Sequence, residues 1–152
     1  MTQSLCCKVL EALAGKTLVT AESLTGGGIG NALTAISGSS AVYKGGIISY
    51  TNEVKEAVLG VPAEILETYG AVSAQTASAM ASGVRKLLQA DVAVSVTGLA
   101  GPGGDDFGNP VGTVFIGYED DSKSVVKTCF FTGKREEIRR QTIQTALSLI
   151  LE

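Results

Sequence analysis

Alternation restricts the fold of this chain more than any other feature: strand-like apolar runs and helix-period segments follow one another almost throughout. Leu5, Val9, Leu10 and Leu13 recur at helical spacing and Gly15 supplies a stop, so residues 3 to 14 read as an amphipathic helix. KTLVTA then reads as a strand, residues 27 to 36 as a second helix, and AVYKGGIISY as a second strand. NEVKEAVLG is a short helix capped by Thr51 or Asn52, Pro62 opens PAEILETYG, and Ser73 caps a long alanine-rich helix ending near Gln89. VAVSVT is a third strand. After the loop GLAGPGGDDFGNP, the runs VGTVFIGYE and KSVVKTCFF flank the turn-forming DDS as a hairpin, and KREEIRRQTIQTALSLILE is a final amphipathic helix. The order αβαβααβββα predicts an α/β domain of three layers, α/β/α, around a mixed, mostly parallel sheet. A length of 152 residues suits one such domain, which at that size needs no disulfide or metal to hold its core.

The same inventory removes several chemistries. There is no histidine, so Ser-His-Asp triads, Cys-His dyads and histidine-based zinc hydrolysis cannot be assembled within one chain. Catalysis must use Ser, Thr, Tyr, Lys, Cys or carboxylates. A net charge of -3 gives no basic footprint for nucleic acid. Cys6 and Cys7 are adjacent and Cys129 is far away in a strand-like run, a pattern of reduced thiols rather than a disulfide or metal set. The start MTQSLCCKVLEALAG lacks the layout of a signal peptide and no apolar run reaches membrane-spanning length, so a soluble, cytoplasmic protein is expected. An apolar fraction of 45% leaves room for an interface between copies in a homo-oligomer.

In open α/β sheets, ligands collect outside the carboxyl ends of parallel strands. Three such ends, AESLTGGG, YTNEVK and TGLAGPGG, carry hydroxyls, and two carry glycines that let backbone amides approach a ligand. Ser23 lies between a strand end and a glycine-rich helix start, where it is either a nucleophile or simply, with Thr25, a helix cap. The glycines match neither a dinucleotide fingerprint nor a P-loop. Lys55 falls near the third residue of the helix opened by Asn52, at the positive end of the helix dipole. Helical side chains lean toward the N-terminus, so its amine points back toward the strand end that carries Tyr50. A desolvated amine there has a lowered pKa and can act as general base for a serine, whereas a solvated one pairs with Glu53 and Glu56. Ser124 and Lys127 form an S-x-x-K match that a strand would split between its two faces. Asp105 and Asp106 alone are weak support for a metal. Arg135, Arg139 and Arg140 either bind phosphate or form an exposed helix face with Glu136 and Glu137.

Taken together and in order, TAESLTGG, YKGGIISYTNEVKEAVLGV, VSAQTASAMASGVR, VSVTGLAGPGG, NPVGTVFIGY and KREEIRRQTIQTAL strongly resemble the C-terminal domain of the competence/damage-inducible protein CinA. That family includes stand-alone nicotinamide mononucleotide amidohydrolases. The resemblance, from about Leu5 to Leu151, implies hydrolysis of nicotinamide mononucleotide to nicotinic acid mononucleotide and ammonia, without metal or cofactor. It makes Ser23 the nucleophile, with Tyr50 and Lys55 as its catalytic partners. Thr97 with Gly98, Ser40 before the second strand, and Arg139 on the last helix become substrate contacts, and amides around Gly26 and Gly27 stabilise the oxyanion. Glu22 either fixes the glycine elbow or touches the ribose. Full-length family members carry an additional N-terminal half, so activity belonging to that half is not expected of these residues, and DDFGNP departs from the family's usual loop composition. The rival reading is a module that binds a nucleotide-like ligand and regulates a partner without turnover.

Overall fold

A computed structural model describes residues 1–152. Five strands form one sheet in the order β2-β1-β3-β4-β5. They are β1 (Leu18–Glu22), β2 (Tyr43–Ile48), β3 (Val92–Gly98), β4 (Thr113–Glu119) and β5 (Ser124–Phe130). β1 pairs parallel to both β2 and β3, while β4 pairs antiparallel to β3 and to β5, so four of the five strands point the same way. This is the mixed α/β sheet the alternation predicts, with the hairpin where DDS places it.

The helices are α1 (Thr2–Ala12), α2 (Gly28–Thr34), α3 (Asn52–Ala57), α4 (Ala63–Tyr69), α5 (Ala74–Leu88) and α6 (Arg135–Ile150). α1, α2 and α6 cover one face of the sheet and α4 with α5 the other. Strands β1 and β3, at the centre, are buried along nearly their whole length and carry the apolar runs that two covered faces require. β2 is an edge strand and alternates between half-buried and exposed. Side chains alternate across β1: Leu18 faces the core under α1, α2 and α6, whereas Val19 and Ala21 face the core under α4 and α5.

Hydroxyl caps and one glycine set where α3 and α5 lie. Thr51 Oγ1 accepts the Val54 N–H at 3.3 Å and Ser73 Oγ accepts the Thr76 N–H at 3.1 Å, so both helices begin at their caps. Of the two cap candidates for α3, Thr51 serves and Asn52 is the first helical residue. Gly83 lets α5 lie directly on the turn after α3, because a Cβ there would collide with the Leu59 carbonyl oxygen. Lys55 sits just before that turn, and its carbonyl accepts the Val61 N–H at 3.0 Å.

The chain leaves β1 for β2 on one side and later reaches β3 on the other side of β1. The carboxyl ends of β1 and β3 therefore flank the point where the winding reverses, the place where open α/β sheets leave a crevice.

Candidate active site

A cavity of about 660 Å³ occupies that crevice, a size suited to a nucleotide-sized molecule. Ser23, Tyr50, Lys55, Thr97 and Gly98 line it, together with the loop from Leu99 to Phe107 and Arg135 of α6.

Ser23 follows β1 immediately and its N–H donates to the Val96 carbonyl at 3.1 Å, which ties the serine to the end of β3. As the next odd-numbered residue after Val19 and Ala21, it belongs to the face of the sheet on which α4 and α5 lie. Lys55 comes to it from the first turn of α3 and is only 1% exposed. Its Nζ lies 3.1 Å from Ser23 Oγ, 2.7 Å from the Ser49 carbonyl oxygen and 3.3 Å from that of Tyr50. No carboxylate pairs with it: the chain's ion pairs are Arg85 with Glu119 and Lys127 with Glu152. Burial without a counter-charge pushes the amine down to about 8 from the 10.5 of a free lysine. The ammonium donates to all three oxygens; in the neutral amine two N–H groups still serve the carbonyls and the lone pair faces the Ser23 hydroxyl.

Glu22 lies on the opposite face of β1 and is 2% exposed. Its Oε1 accepts the Ile29 N–H at 2.8 Å and the Thr25 hydroxyl at 2.6 Å, while Oε2 accepts the Gly30 N–H at 3.0 Å. Of the two roles open to it, the carboxylate takes the first: it caps α2 from outside the helix and fixes the elbow. The positive end of α2 is therefore occupied by protein. Gly26 and Gly27 do not meet the sequence expectation. The Gly26 N–H donates to the Ser23 carbonyl at 3.1 Å, and Gly27 lines a separate cavity of about 140 Å³ beside Tyr43 and Gly46.

Arg139 and Arg135, one helical turn apart on α6, divide two tasks. Arg139 Nε donates to the Leu24 carbonyl at 2.9 Å and Nη2 to that of Thr25 at 3.2 Å, so it braces the elbow from beneath and does not line the cavity. Arg135 reaches the cavity wall, donating from Nη1 to the Gly101 carbonyl at 2.6 Å and from Nη2 to the Tyr50 hydroxyl at 3.2 Å. Tyr50 is 59% exposed at the mouth. Thr97 donates its hydroxyl to the Ala71 carbonyl at 2.7 Å, while Gly98 packs so closely on Val114 that a Cβ would collide with it.

Ser40, like Arg139, is an expected contact that the structure keeps away from the cavity. It lies in the turn Ser39–Ala41 before β2, and a turn that enters a parallel strand sits at the amino edge of the sheet, opposite the crevice. Asp105 is a loop brace: its carboxylate accepts the Phe107 N–H at 3.1 Å, the Asn109 N–H at 3.0 Å and the Asn109 amide at 2.8 Å. The N–H groups of Ala100, Gly101, Gly103 and Gly104 on the same loop donate to no atom of the chain.

The sequence offers Arg135, Arg139 and Arg140 alike for phosphate and the strand-end glycines for amide contacts; the structure puts Arg135 and the loop amides at the cavity. The signal for Arg135 is its spacing of four from Arg139, which puts both on one stripe of α6.

Fold and site define a class: an α/β domain with a histidine-free serine–lysine pair at the switch point of its sheet. The chain belongs to the CinA family; the CinA C-terminal domain matches residues 3–152. A CinA-like protein of Endomicrobium trichonymphae is 47% identical over 135 residues, covering 89% of this chain and 32% of the relative. The chain thus spans about a third of the length of the curated relatives it matches. Among solved structures, competence/damage inducible protein CihA from Agrobacterium tumefaciens superposes with a TM-score of 0.95 at 41% identity, covering 99% of this chain and 93% of that one. The competence damage-inducible protein A from Klebsiella pneumoniae does so at 0.96 and 36%, covering 98% and 94%.

Proposed function

We propose that the chain is an amidohydrolase that converts nicotinamide mononucleotide to nicotinic acid mononucleotide and ammonia, in cytoplasmic pyridine-nucleotide recycling. The observation that carries the reading is the buried amine of Lys55, without a counter-ion, 3.1 Å from Ser23 Oγ. A serine hydroxyl needs a base, and a lysine held near neutrality by burial supplies one where no histidine exists.

Ser23 Oγ adds to the carboxamide carbon while its proton passes to Lys55 Nζ, and the carbonyl electron pair moves to oxygen. Collapse of that intermediate breaks the C–N bond, and the leaving nitrogen takes the proton from Lys55 to depart as ammonia. Lys55 then accepts a proton from water, the hydroxide adds to the ester, and release of the acid restores the Ser23 hydroxyl. The pyridinium ring withdraws electrons from the amide, which lowers the activation required. The Arg135 guanidinium and the free amides of Gly103 and Gly104 are the groups best placed for the phosphate. They replace Ser40 and Arg139 in that role.

Purified chain incubated with nicotinamide mononucleotide is expected to release ammonia, and Ser23→Ala to abolish release while keeping ligand binding and the folded circular-dichroism spectrum. Binding without ammonia in the unmodified chain points instead to the ligand-binding module. Unchanged turnover in Ser23→Ala removes the serine from its role.

A further inference from the structure

The elbow after Ser23 is pinned at consecutive peptide groups. The Ser23 N–H is bound to Val96, the Ser23 carbonyl accepts the Gly26 N–H at 3.1 Å, and the Leu24 carbonyl accepts Arg139 Nε at 2.9 Å. The Thr25 carbonyl accepts both the Gly28 N–H at 2.9 Å and Arg139 Nη2 at 3.2 Å. Further on, the Ile29 and Gly30 N–H groups are consumed by Glu22.

Few donors of the elbow remain free. From Leu24 to Gly30 only the N–H groups of Leu24, Thr25 and Gly27 have no acceptor in the chain. A buried N–H without a partner is rare in folded proteins, and Leu24 and Thr25 are 4% and 1% exposed. Of the three residues, Leu24 alone lines the large cavity with Ser23. In a trans peptide the N–H points opposite to the carbonyl, so the bond from Gly26 to the Ser23 carbonyl also fixes the direction of the Leu24 N–H.

We infer that the Leu24 N–H is an oxyanion-binding donor and that Arg139 is a positioning residue that steadies it from the two peptides that follow, through the Leu24 and Thr25 carbonyls. This rests on the amidohydrolase reading and moves the oxyanion site from Gly26 and Gly27 to the residue after the nucleophile. A donor aimed where negative charge develops acts on the rate rather than on ground-state binding.

The test replaces single N–H groups by oxygen, using backbone esters at Leu24 and, as the control, at Gly27. With nicotinamide mononucleotide, the Leu24 ester is expected to lower kcat by on the order of 10²-fold at unchanged KM, and the Gly27 ester to leave both as they are. Arg139→Lys is expected to lower kcat while binding of nicotinic acid mononucleotide stays constant, a split that general loosening of the fold would not give. Pyridine-3-boronic acid provides a readout that does not depend on turnover. Boron-11 NMR should show a tetrahedral adduct on Ser23 in the unmodified chain, weakened at least tenfold by the Leu24 ester and unaffected by the Gly27 ester. If the boronate binds as expected but no ammonia appears, the amidase reading fails and the oxyanion donor stands. If ammonia is released and the Leu24 ester matches the unmodified chain in rate and boronate affinity, the inference fails and the amidase reading stands. Absence of a tetrahedral adduct, or loss of rate at Gly27 instead of Leu24, also overturns it.

Discussion

Two glycine-rich segments border the same cavity and handle their backbone in opposite ways. In the elbow from Leu24 to Gly30, four of seven N–H groups are bound, two of them by the remote carboxylate of Glu22, and Arg139 takes two of the carbonyls. In the loop after β3, the N–H groups of Ala100, Gly101, Gly103 and Gly104 have no acceptor in the chain, and Asp105 braces only the next turn. The elbow's glycines serve close packing: a Cβ on Gly28 would collide with Ile143, and one on Gly30 with the Tyr43 hydroxyl. At Gly103 a Cβ would meet open space. Glycine abundance therefore has two physical meanings here. One segment is an internally bonded seat for Ser23 and the other a row of donors with no acceptor in the chain.

The largest effect expected on the elbow side comes from its base. Lys55→Met should lower kcat by at least about 10³-fold, and its melting temperature at pH 7 should equal or exceed that of the unmodified chain, because a buried uncompensated charge is removed. A Lys55→Met chain that keeps its rate would break the comparison at once. The pH profile sharpens it. With the amine titrating near 8, kcat/KM should rise about tenfold per unit below that value and level off above it. Stability carries the same sign. The folded chain binds the Lys55 proton less readily than the unfolded chain does, so stability rises with pH from about 8 to 10.5, by at most about 3 kcal/mol.

On the loop side, Arg135→Ala should raise KM for nicotinamide mononucleotide by on the order of 10²-fold and leave KM for nicotinamide riboside, which lacks the phosphate, nearly unchanged. An equal loss for both substrates would mean that Arg135 braces Tyr50 and Gly101 rather than the phosphate. The alanine pair has the smallest expected effects and tests the contrast in its plainest form. Gly30→Ala should lower stability by about 1–3 kcal/mol by pushing the Tyr43 ring off its hydrogen bond to Thr20, whereas Gly103→Ala should change it by less than about 0.5 kcal/mol, as urea denaturation would measure.

Much of this was legible in the sequence where local rules sufficed. Alternation placed three strand ends together before any contact was known. The direction in which helical side chains lean brought the misplaced cation of Lys55 toward the strand end at Tyr50. What escaped depended on long-range partners. Glu22 and Ile29 are seven residues apart, and no local rule says that a strand-end carboxylate will cap the following helix from outside. Arg135 and Arg139 share a stripe of α6, so the helical period could not tell which meets the loop and which the elbow. Ser40 entered through family resemblance, without the topology that sets the turn before β2 at the far edge of the sheet. The pairing of single amides, which separates Leu24 from Gly26, exists only in three dimensions.

The central claim is that Ser23 is a covalent nucleophile activated by Lys55, and rapid-quench mass spectrometry of the chain turning over nicotinamide mononucleotide tests it most directly. The account predicts a pyridine-carboxylate ester on the peptide containing Ser23, absent in Lys55→Met. Ammonia release with Ser23 unmodified at every time point would contradict it.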